Sequence, residues 1–144
     1  MDLKLVSTTE NDEAILRALH HEAYRDVVER QFGAWDQALQ DGFFKQKWDP
    51  NAIKIIHYQN KTVGYLIVER NDDNITLSEI VIQPRYQGLG IGSSLLQDLI
   101  SEAVSSQLPL RLLVLKKNHA KNLYQRLGFK DYDSTDTHYC MELA

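Results

Sequence analysis

Residues 84–93 read PRYQGLGIGS, and they lie between a predicted strand, ITLSEIVIQ at 75–83, and a predicted helix at 89–107. Glycines at 88, 90 and 92 remove side chains where a backbone has to approach a ligand closely. The first N–H groups of a helix have no partner within the helix, and the helix dipole is positive at that end. This turn therefore suits a pyrophosphate, although a tight connection that needs glycine explains the same residues.

The spacing of the glycines separates this loop from two other nucleotide-binding loops. Gly88, Gly90 and Gly92 give G-x-G-x-G and not the G-x-G-x-x-G of dinucleotide-binding folds, and no Gly-Lys-Ser/Thr follows as in a P-loop. With Gln87 and the preceding Pro84, the run instead resembles the Q/R-x-x-G-x-G/A motif of the GCN5-related N-acetyltransferase (GNAT) family. The resemblance implies a loop that holds the pyrophosphate of acetyl-CoA, with these contact residues: Gln87, Gly88, Leu89, Gly90, Ile91, Gly92 and Ser93.

A second stretch, VLKKNHAKNLYQRLGFK at 114–130, is similar to the later motif of the same family. In that motif an asparagine after the fifth strand opens a helix, a tyrosine lies six residues on, and Gly-Phe closes the unit. Asn118, Tyr124, Gly128 and Phe129 occupy those positions. The resemblance implies cofactor contact for Asn118, which also suits an N-cap, while Tyr124 by itself also suits a half-buried helix position.

The resemblance implies transfer of the acetyl group to a primary amine by direct attack in a ternary complex. Tyr124 would be the general acid that protonates the leaving thiolate, and Glu79 would be the base that takes a proton from the amine, which has a free pKa near ~10.4. Strand alternation leaves the face of Glu79 open, and its other interpretation is an exposed strand carboxylate. Ile80, Val81 and Ile82 would contact the cofactor through backbone groups, which also suit a developing oxyanion.

One family feature is missing, because Leu113 stands where ribosomal-protein acetyltransferases place a glutamate on the fifth strand. An alternative base is a histidine of the first helix, although His20 and His21 are expected to be solvated.

The acceptor site is predicted in the first two helices and their connection, with Tyr24, Phe32 and Trp35 as its principal residues. Aromatic rings with nearby carboxylates can receive an ammonium group. The other residues considered for this site are Arg25, Glu29, Asp36, Phe43 and Phe44. The alternative is that Phe32, Trp35, Phe43 and Phe44 are mostly core residues at helical spacing.

Hydrophobic periodicity predicts the order β, α, α, β, β, β, α, β, α, β, β. Helices are expected over 12–30, 35–47, 89–107 and 118–127, with Val104 on the buried side of the third. The run LRLLVL at 110–115 has no alternation, which predicts a strand buried on both faces. The predicted fold is α/β (mixed α+β): one GNAT domain over residues 1–144, with a mixed, mostly antiparallel sheet of six to seven strands and helices on both faces.

Composition and charge narrow the function classes. The 144 residues are 43% hydrophobic and 25% charged, with a formal net charge of -4, which argues against general nucleic-acid binding. The single Cys140 and five scattered histidines show no metal-ligand spacing, so no metal is expected. No apolar run approaches the ~18 residues of a membrane span, and a cytoplasmic protein without membrane contact is predicted.

Two function classes fit the sequence. The first is an acetyl-CoA-dependent N-acetyltransferase whose acceptor is a small-molecule or peptide amine. The second is a CoA-binding or regulatory module of the same fold without turnover. Retention of Tyr124 favours the enzyme, and Cys140 has no evident activating partner for a covalent route. Exposed aromatic residues near Trp35 or on a terminal strand would also suit a homodimer.

Overall fold

The computed structural model describes residues 1–144, and its elements follow the predicted order. The strands are β1 (Leu3–Ser7), β2 (Ile53–Tyr58), β3 (Lys61–Arg70), β4 (Ile75–Ile82), β5 (Leu110–Leu115), β6 (Lys130–Ser134) and β7 (His138–Leu143). The helices are α1 (Glu13–Phe32), α2 (Gln37–Lys47), α3 (Ile91–Ser106) and α4 (Ala120–Arg126). Two single 3-10 turns, Glu10–Asp12 and Pro84–Tyr86, were not predicted.

The strands form one mixed seven-stranded sheet, which confirms the predicted fold class. Their order is β1-β2-β3-β4-β5-β7-β6. β1 pairs antiparallel with β2, and β2 with β3 across a turn at Gln59 and Asn60, both of which have positive φ. β5 and β6 each pair antiparallel with β7. The parallel register of β4 and β5 joins Ile75–Leu77 to Leu110–Leu112.

Local hydrogen bonds define the first two helices. The Thr9 N–H donates to the Asp12 carboxylate at 2.8 Å just before α1. Gly33 ends α1 with φ 97°, and its N–H donates to the Glu29 carbonyl at 3.1 Å. A glycine suits this position because the left-handed region strains other residues. Asp36 caps α2 by accepting the Leu39 N–H at 3.1 Å, so the helix starts at Gln37, two residues later than predicted.

The chain divides into two compact units. The first unit is Met1–Ile67 with Glu79–Ile91, and the second unit is Val68–Ser78 with Gly92–Ala144. Within the first unit, buried residues of α1, α2, β2, β3 and β4 form one hydrophobic core. Its members are Leu16, Leu19, Phe44, Ile53, Ile55, Tyr65, Ile67 and Val81. Within the second unit, α3, β5 and β7 carry buried residues that include Leu96, Leu110 and Met141.

Two burial predictions for the second unit are wrong. β5 is not buried on both faces, because its burial alternates and Leu113 is 58% exposed. A strand that runs antiparallel to β7 keeps the period-two pattern of a half-buried sheet even when every residue but one is aliphatic. Val104 is 71% exposed and therefore lies off the buried side of α3, although the adjacent Ala103 is buried.

No helix combines the length and the apolar content that crossing a membrane requires.

Candidate active site

The glycine-rich loop follows β4 directly. The Gln83 N–H donates to the Val63 carbonyl at 2.8 Å, and the Tyr86 N–H donates to the Gln83 carbonyl at 2.8 Å. The Gln87 side chain turns back and donates through Nε2 to the carbonyl of Ile82, also at 2.8 Å. These bonds fix the point at which the loop leaves the strand.

Gly88 and Gly90 lie in the left-handed region, with φ of 77° and 89°. No heavy atom lies within 4 Å of the position that a Cβ on Gly88 would occupy, and both glycines are exposed. The backbone of this loop is therefore open to a ligand, in a conformation that favours glycine. A pyrophosphate fits such a loop, because it accepts hydrogen bonds from the N–H groups that precede α3.

Glu79 lies among polar partners, all within the first unit. It is 8% exposed, so the interpretation of an exposed strand carboxylate is wrong. Tyr65 Oη donates to Glu79 Oε1 at 2.8 Å. Lys47 Nζ lies 3.6 Å from Oε2, and His20 Nε2 lies 3.7 Å from Oε1. Burial raises the pKa of Glu79, and the Lys47 charge and the Tyr65 hydrogen bond oppose that rise. A carboxylate with a raised pKa is a stronger base than an ordinary one.

The two histidines of α1 belong to the same cluster. His20 Nδ1 lies 2.9 Å from His21 Nδ1, and His21 Nε2 lies 2.6 Å from Asp41 Oδ1 of α2. Burial, followed by the neighbouring His21 and Lys47, lowers the pKa of His20 to about 4. The prediction of a solvated pair is wrong, because His20 is 8% exposed and the His21 side chain only 12%. The cause is packing of this face of α1 against α2.

Two of the three predicted acceptor residues lie against the histidine pair. The ring of Tyr24 is 4.8 Å from that of His20, and the ring of Trp35 is 5.2 Å from that of His21. The Arg25 guanidinium lies over the Trp35 ring at 5.6 Å. Phe32 is 55% exposed. The alternative is that most of these aromatic residues belong to the core. It holds for Phe44, which is buried, and it is wrong for Phe32 and for Phe43, since the latter is 49% exposed.

The later motif lies in the second unit. Tyr124 is buried in α4, with its ring 5.9 Å from that of Phe129, and burial raises the pKa of Tyr124 to about 12. The phenol is therefore protonated at neutral pH, as a general acid must be. The Asn118 side chain accepts the N–H of Ala120, the first residue of α4, at 2.9 Å, while the N-cap position itself is His119. Gly92 and Ser93 are half-buried in the first turn of α3.

Three polar partners were not identified from the sequence, namely Tyr65, Lys47 and Asp41. The buried face of Glu79 could have been predicted from the sequence. In β4 every second residue is buried, and Glu79 shares that face with Val81. No sequence signal links Lys47 or Asp41 to this carboxylate, because both belong to a helix far from β4 in the chain. No group of three or more His, Cys, Asp and Glu side chains is arranged to hold a metal ion.

Comparisons with known proteins agree with this geometry. The family model described as "Acetyltransferase (GNAT) domain" matches residues 12–138. The [ribosomal protein bS18]-alanine N-acetyltransferase of Haemophilus influenzae is 35% identical over 88 residues, which are 60% of each chain. The spermine/spermidine N(1)-acetyltransferase of Bacillus subtilis is 34% identical over 86 residues, 52% of this chain and 57% of the relative. These matches thus span less than two thirds of either relative.

The fold is similar to that of a solved structure, the PaiA N-acetyltransferase of Thermoplasma acidophilum in complex with coenzyme A. The TM-score is 0.78 with 16% sequence identity, over 99% of this chain and 98% of the other. At that identity the likeness concerns the fold alone.

Proposed function

The chain belongs to the acetyltransferase (GNAT) domain family, and from this premise we propose that it transfers the acetyl group of acetyl-CoA to a primary amine by direct attack in a ternary complex. The observation that carries the proposal is the order along one strand of a buried carboxyl group and an open glycine loop. Glu79 lies three residues before the end of β4, about 10 Å of extended chain, and the open glycine loop follows. The same strand thus positions the proposed base and the start of the loop.

The loop is assigned to the pyrophosphate of acetyl-CoA. Backbone N–H groups from Gly88 to Ser93 would donate to it, and left-handed Gly88 and Gly90 keep that backbone free of side chains. The backbone of Ile80, Val81 and Ile82 would pair with the pantetheine arm in the manner of an added strand. Asn118 is retained as a cofactor contact by family resemblance, beside its hydrogen bond to the first residue of α4.

Glu79 is assigned as the base. An amine with a pKa near ~10.4 is mostly an ammonium ion at neutral pH and has to lose a proton before its nitrogen can attack. The bound thioester supplies the electrophilic carbonyl and a thiolate leaving group. Tyr124 would give its phenolic proton to that sulfur, so that the C–N bond forms as the C–S bond breaks and CoA leaves as a thiol. The second proton, which the nitrogen loses on becoming an amide, would restore the Tyr124 phenol, so that one net proton is released, the one on Glu79.

The acceptor is proposed to be a primary amine that enters beside Tyr24 and Trp35, with Phe32 at the outer end of α1. The aromatic faces of this region suit an ammonium group. The names of the relatives point to two acceptor types, an amino-terminal alanine and a polyamine. Leu113 stands where the resemblance places a carboxylate on the fifth strand of ribosomal-protein acetyltransferases, and Glu79 is proposed as the base for either acceptor instead.

Calorimetry and steady-state kinetics on the full chain test the proposal. We expect acetyl-CoA to bind, and free CoA to appear only when an alanine-initiated peptide or spermidine is added. A CoA-binding module without turnover would bind acetyl-CoA and release no CoA with either amine. No binding at millimolar acetyl-CoA would reject the loop assignment as well as the activity.

A further inference from the structure

Glu79, His20, His21 and Asp41 form a continuous polar chain within the first unit. Its links are 3.7 Å from Glu79 Oε1 to His20 Nε2, 2.9 Å from His20 Nδ1 to His21 Nδ1, and 2.6 Å from His21 Nε2 to Asp41 Oδ1. One end is buried and the other is open, because the side chain of Glu79 is 6% exposed and that of Asp41 is 44% exposed. The chain thus joins the buried carboxyl to the surface.

Hydrogen-bonding rules determine which atom donates at each link of this polar chain. A carboxylate only accepts, so His21 Nε2 carries the proton that lies against Asp41. Nδ1 of a neutral His21 then accepts, and the proton between the two rings belongs to His20 Nδ1. His20 Nε2 is left with a lone pair, and that atom faces Glu79. Each imidazole accepts on the side of Glu79 and donates on the side of Asp41.

The other two neighbours of Glu79 cannot take a proton from it. Lys47 is an ammonium group with no lone pair, and Tyr65 already donates its hydroxyl proton to Glu79 Oε1. Burial, together with the Glu79 charge, raises the pKa of Tyr65. Of these three neighbours, only His20 offers a free lone pair.

We propose that His20, His21 and Asp41 form the proton exit of the active site, carrying to solvent the proton that Glu79 takes from the amine. The proposal rests on the proposed function, since transfer of acetyl to an ammonium substrate releases one proton in each turnover. Glu79 gives that proton to His20 Nε2, His20 Nδ1–H passes one to His21 Nδ1, and His21 Nε2–H passes one to Asp41. Asp41 releases it to water, and proton exchange with water restores the starting tautomers. His20 would touch the reacting base, whereas His21 and Asp41 act through it as positioning residues.

The 3.7 Å link is longer than a hydrogen bond, so His20 and Glu79 have to move closer during turnover. Catalytic hydrogen bonds are often long in a free enzyme and tighten once substrate binds. The remaining two links already have hydrogen-bond length.

Long-range 15N–1H NMR on the intact protein assigns the histidine tautomers. It therefore tests the polar chain from Glu79 to Asp41 without any substrate. At pH 7 we expect His20 to be protonated on Nδ1 and His21 on Nε2. His21→Phe keeps an aromatic ring but removes the acceptor of His20 Nδ1–H, and His20 should then shift to the Nε2–H tautomer. Wild-type protein with His20 protonated on Nε2 would overturn the proposal, and so would a His20 tautomer that is the same in His21→Phe.

Kinetics test the role in turnover, with spermidine and an alanine-initiated peptide as acceptors. We expect His21→Phe and Asp41→Asn each to lower kcat about tenfold or more, within the ~10²–10⁴ range of general acid–base catalysis, with an unchanged KM for acetyl-CoA. The solvent deuterium isotope effect on kcat should rise in both variants, and added imidazole should restore part of the kcat of His21→Ala. The matched control is His57→Phe, a part-buried histidine of β2 that contacts Thr62 and lies outside the chain.

The outcomes separate the two proposals. Variants that turn over like the wild type overturn the proton exit and leave the acetyltransferase activity standing. Wild-type protein that releases no CoA with either amine overturns the proposed function and, with it, the catalytic role of the chain.

Discussion

Glu79 is the residue at which opposing electrostatic effects meet. Burial favours its neutral form, while the Lys47 ammonium group 3.6 Å away and the Tyr65 hydrogen bond favour the carboxylate. Burial prevails, so the pKa of Glu79 lies above its ordinary value. The proposed base is thus a stronger base than an ordinary carboxylate.

Removing the Lys47 charge should raise the pKa of Glu79 further. Lys47 lowers this pKa, so in Lys47→Met the acidic limb of the kcat/KM profile should move to higher pH, because Glu79 has to be ionised to act as a base. The pH dependence of kcat/KM with spermidine measures the shift. Lys45→Met, a basic residue of the same helix turn, is the control. A limb that stays in place or moves to lower pH would contradict the assignment of Glu79.

Tyr124 should contribute through its hydroxyl alone. Tyr124→Phe keeps the ring that packs 5.9 Å from Phe129 and removes the proposed acid. We expect kcat to fall by roughly 10²-fold with little change in thermal stability. The exposed Tyr132→Phe is the matched control, and steady-state release of CoA is the measurement. Undiminished turnover in Tyr124→Phe would assign the acid role elsewhere.

At the scale of elements, the loop after β4 depends on its backbone conformation. Alanine at Gly88 meets no atom within 4 Å, yet φ of 77° strains an L-residue by about 1–2 kcal/mol, so Gly88→Ala should shift the loop and weaken acetyl-CoA binding. Gly42→Ala is the control, because Gly42 lies inside α2 with open space around it. That variant should gain about 0.5–1 kcal/mol of stability and keep its acetyl-CoA affinity. Calorimetric titration compares the two, and equal affinities would reject the loop assignment.

Periodicity predicted the elements well because each is set by neighbours within a few residues. β4 was placed over 75–83 and ends at Ile82, and the third helix was placed over 89–107 and covers Ile91–Ser106. Burial was predicted less well. Leu113 is exposed in an aliphatic strand, since hydrophobicity does not report which face a sheet leaves uncovered.

The residues of the candidate site also differ in how far the sequence predicts them. The loop residues Gln87, Gly88 and Gly90 could be predicted because they lie within four positions of one another, and the positive φ of Gly88 and Gly90 agrees with glycine there. His20, His21 and Asp41 were not found as a group, because their contacts join α1 to α2 and only tertiary packing brings them to Glu79. Single-sequence patterns carry no information on such contacts.

For the molecule as a whole, the family is established, while the single domain, the acceptor and the homodimer stay predictions. The exposed side chains of Phe32, Leu39 and Phe43 on α1 and α2 would suit either an acceptor or a partner chain. The histidine pair lies beside Tyr24 and Trp35, and this favours an acceptor site over a partner interface. A group bound beside these two rings would reach the region of the proposed base.

The buried His20 also couples the stability of the molecule to pH. Its pKa is about 4 in the folded chain against 6.5 for an ordinary histidine, so the unfolded chain binds more protons between these values. The stabilising contribution is complete above pH 6.5 and is lost as the pH falls to about 4, a change of about 3 kcal/mol in the free energy of unfolding. That is a large part of the ~5–15 kcal/mol that holds a typical domain folded.

Urea unfolding of the wild type and of His20→Gln at pH 7.5 and pH 4.0 isolates this contribution. The raised pKa of Glu79 acts in the opposite direction, since its protonated form is favoured by folding, but Glu79 is present in both proteins and largely cancels in the difference. We expect the wild type to lose about 3 kcal/mol more than the variant between the two pH values. Equal losses would mean that folding leaves the pKa of His20 at its ordinary value, and burial would then not favour the neutral imidazole.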